Sequence, residues 1–321
     1  MNMPGNTRDL TVVSRLDDRG DVVRLTLADP SGADLPEVTA GAHIDLRVAL
    51  PEGEVWRQYS LAGDPANRKE WQLGILRKAD GRGGSRRLAE IAQKAAVLST
   101  DGPRNHFALA PGARHHVLIG GGIGITPLLS MAYELARCGA RFELHYCTRG
   151  PERTAFLDLL DQPPFAGATH LHHDGTATAF DPAELPQPDD GTHLYVCGPE
   201  GFMDHVIGAA QAIGHAAGNI HREYFSNEVD STGDTFVVEA RASGVTVTVG
   251  AEESIVAALA RAGIAVEVKC EEGICGTCLT DVLEGEPDHR DHFLTDDEKA
   301  ENAAMCLCCS RARSTLLVLD I

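Results

Sequence analysis

The sequence predicts a multidomain fold: an antiparallel β-barrel or sandwich, then an α/β doubly wound domain, then a small α+β domain. Three observations carry that reading. Short alternating apolar runs broken by turns fill the stretch from about Thr11 to Leu109, as in "DVVRLTLADP", "GAHIDLRVAL" and "WQLGILRKAD". The texture changes at "ARHHVLIGGGIGITPLLSMAYELARCGARFELHYCTR", where an apolar strand runs into glycines, a helix and another apolar strand. A polar link, "SNEVDSTGD", then leads into a third segment with its own hairpin, helix and cysteines. At 321 residues the chain is long enough for several cores, and the expected boundaries are 1–110, 111–227 and 228–321.

Taken in order, the first segment admits one helix, "GGSRRLAEIAQ", with Ser85 placed to cap it. The second repeats its strand, glycine turn and helix in "THLYVCGPEGFMDHVIGAAQAIG". Pro127 suits the first turn of the helix after "GGGIGI". The third opens on "FVVEARASGVTVTVG", which alternates cleanly around a Ser-Gly turn and so reads as a hairpin. The helix "ESIVAALARAG" follows and stops at Gly263.

Bulk properties narrow the chemistry. No stretch approaches the roughly 20 apolar residues of a membrane span, and "MNMPGNTRDL" lacks the basic-then-apolar pattern of a secretory signal. A cytoplasmic location is therefore expected, where stable disulfides are disfavoured. Nine cysteines in that setting point to metal or redox chemistry. A formal charge of −19 argues against a nucleic-acid partner, and no membrane partner is expected.

Cys270, Cys275 and Cys278 stand as C-x4-C-x2-C, with more cysteines at 306, 308 and 309. That is the spacing of plant-type [2Fe–2S] sites. Three thiolates so close must wrap a small cluster in one tight loop, and Gly273 and Gly276 permit the curvature. The fourth ligand comes from a distant strand, and the spacing alone leaves Cys306, Cys308 and Cys309 open. Zinc sites pair two short arms, and no second arm of that kind is present.

Further stretches have the chemistry of phosphate and dinucleotide binding. "RQYSL", Arg57 to Leu61, ends a β-run, and "RGGS", Arg82, Gly83, Gly84 and Ser85, opens the helix of the first domain. A helix N-terminus offers free N–H groups and a favourable dipole to a phosphate, and Arg57 adds a fixed cation. Tyr59 offers a ring to a planar cofactor and Ser60 a hydrogen bond. "GGGIGITP" and "CGPEGF" each follow an apolar strand and so stand at the carboxyl end of a sheet, where ligands bind. "CTRG" sets Thr148 and Arg149 where a 2′-phosphate could be held.

These motifs, in this order, resemble the phthalate dioxygenase reductase / vanillate O-demethylase reductase family, in the ferredoxin–NADP reductase superfamily. The likeness covers nearly the whole chain. It implies a flavin-binding β-barrel, a nicotinamide-binding domain and a C-terminal ferredoxin-like (β-grasp) domain. It implies that Arg57, Tyr59, Ser60 and Leu61, with Arg82, Gly83, Gly84 and Ser85, bind FMN. Gly122, Gly124, Ile125, Thr126 and Pro127 would approach the dinucleotide, NADH rather than NADPH, with Cys197, Gly198 and Pro199 bordering the nicotinamide. Phe225, in "REYFS", resembles the family's aromatic near the flavin. The tail "CCSRARSTLLVLDI" resembles the family's C-terminus and singles out Cys308 as the fourth cluster ligand.

The implied activity is electron transfer from NADH through FMN to the [2Fe–2S] cluster and on to a separate terminal Rieske-type oxygenase. No general acid or base is required by it, so no catalytic residue is expected. The flavin stands between a donor that gives two electrons and an acceptor that takes one. Residues 235–321 carry 16 acidic and 7 basic side chains, a surface suited to a basic partner. Two other readings stay open: a reductase for a haem or other acceptor, and a redox-sensing iron–sulfur protein. The "HH" at 115–116, "HHD" at 172–174 and the loop "EPDHRDHF" are expected to be solvated or packed, the loop exposed, and Cys138 a buried filler.

Overall fold

Alternation in the first hundred residues folds into six antiparallel strands. These are β1 (Arg8–Asp17), β2 (Val22–Ala28), β3 (His43–Leu50), β4 (Gly53–Ser60), β5 (Trp71–Leu76) and β6 (Val97–Arg104), hydrogen-bonded in the order β4-β3-β6-β1-β2-β5. A bridge between Leu61 and Leu73 links the end of β4 to β5 and closes the sheet into a barrel. Leu10, Val23, Leu25, Ile44, Leu46, Leu73 and Ile75 fill its interior. The structure is a computed structural model, described over residues 7–51, 53–78, 83–227 and 229–321.

The barrel's helix, α1 (Gly84–Ile91), buries Leu88 and Ala89 against that core. Its N-cap is Gly83 in a left-handed conformation with no side-chain cap, and Ser85 lies inside the first turn. Ser85 is thus not the cap. A φ of 80° at the entry favours glycine over serine.

The next strands are β7 (His115–Gly121), β8 (Arg141–Thr148), β9 (Thr169–His173), β10 (Thr192–Cys197) and β11 (Ile220–Glu223). They form an all-parallel sheet in the order β11-β10-β7-β8-β9. Every residue of β7 is buried, as expected of a central strand covered on both faces. The helices are α2 (Ile125–Arg137), the short α3 (Leu157–Leu160) and α4 (Glu200–Ile213). Pro127 lies in the first turn of α2, where its missing N–H costs nothing. Cys138, at the other end of α2, is exposed and 3.5 Å from Glu134 Oε1, not buried filler; the helix stops there and its last turn faces outward.

The chain divides into two units, Met1–Glu223 and Tyr224–Ile321. The second holds a mixed sheet of β12 (Phe236–Ala240), β13 (Val245–Val249), β14 (Leu279–Glu284), β16 (Ala304–Cys306) and β18 (Leu316–Leu319), in the order β13-β12-β18-β14-β16. Strands β12 and β18 run parallel, and α5 (Ile255–Arg261), capped by Ser254, packs Ile255, Ala258 and Leu259 into the core. A separate small ladder pairs β15 (Pro287–Asp288) with β17 (Arg311–Ala312). The helix α6 (Asp296–Glu301) begins with a capping box between Thr295 and Glu298.

"EPDHRDHF" is not an exposed loop. Pro287 and Asp291 are buried, and Asp291 accepts hydrogen bonds from the backbone of Phe293 and Leu294 at 3.1 and 2.8 Å. Arg311, 2% exposed, donates to the carbonyls of Ser231, Asp234, Gly250 and Glu253, tying the link before β12 to the turn after β13. Four backbone acceptors satisfy a guanidinium that burial would otherwise penalise.

Candidate functional site

Three candidate regions emerge, two in the first unit and one in the second. The first surrounds the entry to α1. A Cβ added at Gly84 would stand 2.7 Å from Arg57 Nε, so the guanidinium of β4 lies directly against the open end of α1. Arg57 Nη1 also donates to the carbonyl of Trp56 at 2.8 Å, which fixes its stem. The cation and the helix entry share one place, the donor set a phosphate needs. Tyr59 packs on the barrel core, and burial pushes its hydroxyl pKa up, so it remains a neutral phenol. Leu61, 3% exposed, anchors the strand end. Arg82 lies outside the described residues.

The second region is the carboxyl edge of the parallel sheet. Strand β7 has β8 on one side and β10 on the other, so the strand order reverses between β7 and β10, the crevice where doubly wound folds bind ligands. The glycine turns after these two strands meet there. A Cβ on Gly124 would fall 2.2 Å from the carbonyl oxygen of Cys197, and one on Gly198 would fall 3.0 Å from Gly121 Cα. Only bare backbone allows this approach. Ile125 and Thr126 start α2 beside Gly124, and Thr126 Oγ1 donates to the carbonyl of Ile123 at 3.0 Å. Pro199 caps α4. Gly74 of the barrel also comes close, since a Cβ there would lie 2.8 Å from Thr126 Cγ2.

Glu223 joins the two regions, and the motif reading missed it. It pairs with Cys197 across β10 and β11, and Ser60 Oγ donates to its Oε2 at 3.3 Å. Burial raises its pKa to about 8, with Ser60 pulling the other way. Burial, and then the Glu223 carboxylate, also push the Cys197 thiol well up, so Cys197 is a neutral thiol rather than a reactive thiolate. One signal was available: Glu223 lies two residues before Phe225 in "REYFS". Phe225 itself falls in the second unit, half-buried.

Thr148 does not offer its hydroxyl to a ligand. Oγ1 is engaged with Thr154 Oγ1 at 2.9 Å, His173 Nδ1 at 3.0 Å and the Gly150 carbonyl at 3.3 Å. Arg149 beside it is exposed.

The third region is the cysteine loop. Cys270, Cys275, Cys278 and Cys308 are all buried. Hydrogen bonding from Cys275, then Cys308, pulls the Cys270 thiol far down, and Cys306 and Cys308 do the same for Cys278. Cys308 therefore reaches both arms of the C-x4-C-x2-C run, while Cys306 reaches Cys278. Cys309 instead faces the back of the loop, 2.4 Å from where a Gly273 Cβ would sit. Gly273 and Gly276 have φ of 68° and 70°, and a Gly276 Cβ would strike the Phe293 ring at 2.2 Å.

Thiols that share protons this way are a donor set for a soft cation, which takes the protons' place. Four buried thiols, three from one loop and one from the turn after β16, are the arrangement a two-iron cluster takes. The Glu272 N–H points at Cys270 Sγ at 3.3 Å, and Thr277 Oγ1 lies 3.2 Å from Cys275 Sγ. Such contacts tune the potential of a bound cluster.

Comparisons with known proteins agree with this geometry. Residues 238–313 match the 2Fe-2S iron-sulfur cluster binding domain, and residues 98–220 match the N-terminal domain of the dimethylamine monooxygenase subunit DmmA-like family. A vanillate O-demethylase oxidoreductase of Pseudomonas putida is 47% identical over 318 residues, 98% of this chain and 99% of that one. A phthalate 4,5-dioxygenase oxygenase reductase subunit of Pseudomonas putida is 39% identical over 97% of this chain and 96% of its own length.

Two solved structures follow the same path. Phthalate dioxygenase reductase superposes with a TM-score of 0.73 at 37% identity, covering 98% of both chains. An intact type IV self-sufficient cytochrome P450 monooxygenase gives 0.87 at 37% identity, covering 98% of this chain and 41% of that one. With relatives of 39% and 47% identity covering nearly its whole length, the chain belongs to the phthalate dioxygenase reductase / vanillate O-demethylase reductase family of oxidoreductases, the iron–sulfur flavoprotein reductase components of oxygenase systems.

Proposed function

We propose that this chain takes electrons from NADH in the cytoplasm and delivers them singly to a separate Rieske non-haem iron oxygenase. Its cofactors are NADH, FMN and a [2Fe–2S] cluster. FMN, when bound, supplies the exchange between a two-electron donor and a one-electron acceptor.

The rest falls to the chain's own residues. Arg57 and the N–H groups of Gly83, Gly84 and Ser85 hold the flavin phosphate, with Arg82 assigned there by the resemblance. Tyr59, Ser60 and Leu61 line the ring site, and Phe225 is carried by the resemblance alone. Gly122, Gly124, Ile125, Thr126 and Pro127 receive the dinucleotide, and Cys197, Gly198 and Pro199 border its nicotinamide. Glu223 keeps a proton on its carboxyl up to about pH 8, which makes the inner wall of that pocket uncharged at neutral pH. Cys270, Cys275, Cys278 and Cys308 are the cluster ligands. The domains are 1–110 for FMN, 111–227 for NADH and 228–321 for the cluster.

The observation that carries this reading is the 47% identity to a vanillate O-demethylase oxidoreductase along 99% of its length, because the activity needs all three parts in one chain. A second reading, a haem acceptor, draws on the likeness to the self-sufficient cytochrome P450, whose chain includes a stretch like this one. Reconstitution separates them. The holoprotein is mixed with a purified Rieske oxygenase or with a cytochrome P450 lacking its own reductase, and NADH-driven product formation is followed. Turnover with the Rieske enzyme is expected; turnover with the P450 alone overturns the assignment.

A further inference from the structure

The outer edge of the parallel sheet gathers side chains that the electron path does not use. Glu143 and His145 lie two apart on β8 and so share a face, and His170 on β9 pairs directly with His145. One ligand atom from each of Glu143, His145 and His170 lies within 4.8 Å of the others. His145 is buried, Glu143 half-buried and His170 exposed, so the trio opens to solvent on one side.

The hydrogen bonds around His145 add an independent argument. His172 Nδ1 lies 3.1 Å from the Thr178 carbonyl, which can only accept, so Nδ1 carries the His172 proton. In a neutral His172, Nε2 is then bare. His145 Nδ1, 3.0 Å away, must donate to it. That leaves His145 Nε2 as a lone pair facing Glu143 Oε2 at 3.5 Å. An imidazole lone pair beside a carboxylate oxygen is two acceptors with nothing between them. A divalent cation satisfies both acceptors.

The surroundings are those of a metal site. The Thr178 carbonyl and His172 orient His145 in series, as outer hydrogen bonds orient metal-bound histidines. His115 Nε2 engages the other Glu143 oxygen at 3.0 Å and leaves Oε2 turned to the trio. Ligand atoms on zinc stand about 3.3 Å apart, a closure that rotation of the exposed His170 side chain provides.

We infer that Glu143, His145 and His170 form a binding site for a divalent ion of the zinc class, separate from the iron–sulfur cluster, with water completing the coordination.

The test uses holoprotein with flavin and iron intact. It is equilibrated with micromolar ZnCl2, freed of loose metal by gel filtration, and assayed for zinc and iron together. The wild type should retain one zinc per chain beyond its cluster iron. Zinc should fall to background in His170→Ala and in Glu143→Gln, with iron and flavin content unchanged. His170 is exposed and Glu143→Gln keeps its shape, so both variants should fold. Cys138→Ser removes the exposed thiol as a rival zinc ligand and should keep the zinc. No zinc above background in the wild type, retention in either trio variant, or loss in Cys138→Ser overturns the inference.

Discussion

The cysteine loop and the pocket around Glu223 are built by opposite means. Three of the four thiols come from nine consecutive residues, and two glycines with positive φ bend the chain around them. The pocket takes Ser60 from β4, Cys197 from β10 and Glu223 from β11, a sequence span of 163 residues, and holds them by strand register. A site written within one loop depends on its ligand atoms. A site assembled from strands depends on the close approach of backbones that carry no ligand atoms.

The sharpest way to break this comparison is at Cys308. Cys308→Ser should abolish the cluster: iron content and iron–sulfur absorbance vanish, and cytochrome c reduction by NADH stops. Bleaching of the flavin by NADH should continue at the wild-type rate, because the pocket is untouched. Cys306→Ser should keep its iron. Iron retained in Cys308→Ser and lost in Cys306→Ser would move the fourth ligand to Cys306.

The pocket should fail instead at a residue with no side chain. Gly124→Ala puts a methyl 2.2 Å from a backbone oxygen that cannot swing aside. Overpacking strain of about 1–3 kcal/mol at the binding turn corresponds to a rise in KM for NADH of roughly fivefold to a hundredfold. Gly201→Ala, in α4 with nothing within 4 Å, should leave KM unchanged. Equal effects of the two substitutions would show that the close approach to Cys197 does not matter.

The same contrast decides what can be read before folding. Alternation from Thr11 to Leu109 announced an all-β first domain, since period-two burial is a local property. The cysteine spacing announced a cluster for the same reason. The helix entry was misread at Ser85, because composition favours serine as a cap while the backbone there turns left-handed at Gly83. Glu223 stands inside "REYFS", yet nothing there announced its burial: a lone glutamate at a strand end looks solvated until β10 and the barrel cover it. The histidines at 115–116 and 172–174 were expected to be solvated or packed, and His115, His116 and His172 are buried; the trio at that edge takes Glu143 and His145 from β8 and His170 from β9, which no single stretch of sequence brings together. Thr148 looked available in "CTRG", and its hydroxyl is spent on Thr154 and His173.

Glu223 gives a smaller effect with a definite sign. Its folded pKa of about 8 exceeds the ordinary 4.5, chiefly through burial, so the folded chain holds this proton where the unfolded chain has released it. Its contribution to stability is fully present below about pH 4.5 and is lost as pH rises through about 8. Glu223→Gln cannot ionise. The melting temperature of the wild type should therefore fall relative to Glu223→Gln between pH 6 and 8.5, and flavin reduction by NADH should lose any pH limb near 8 in the variant. Parallel pH profiles for both proteins would place the proton elsewhere.

Salt should give the smallest effect, and it separates the two regions without a mutation. Residues 235–321 have a net charge of −9 over about a quarter of the chain, so a basic acceptor would be steered toward them. At 0.1 M ionic strength fields decay over about 10 Å, which weakens attraction between separate proteins far more than contacts inside a pocket. Raising the salt should slow electron delivery to the oxygenase severalfold and leave NADH-to-flavin reduction unchanged. Stopped-flow traces at low and high salt follow both steps in one sample. If the two slowed together, the acidic surface would be serving solubility, and the choice of partner would have to rest on shape.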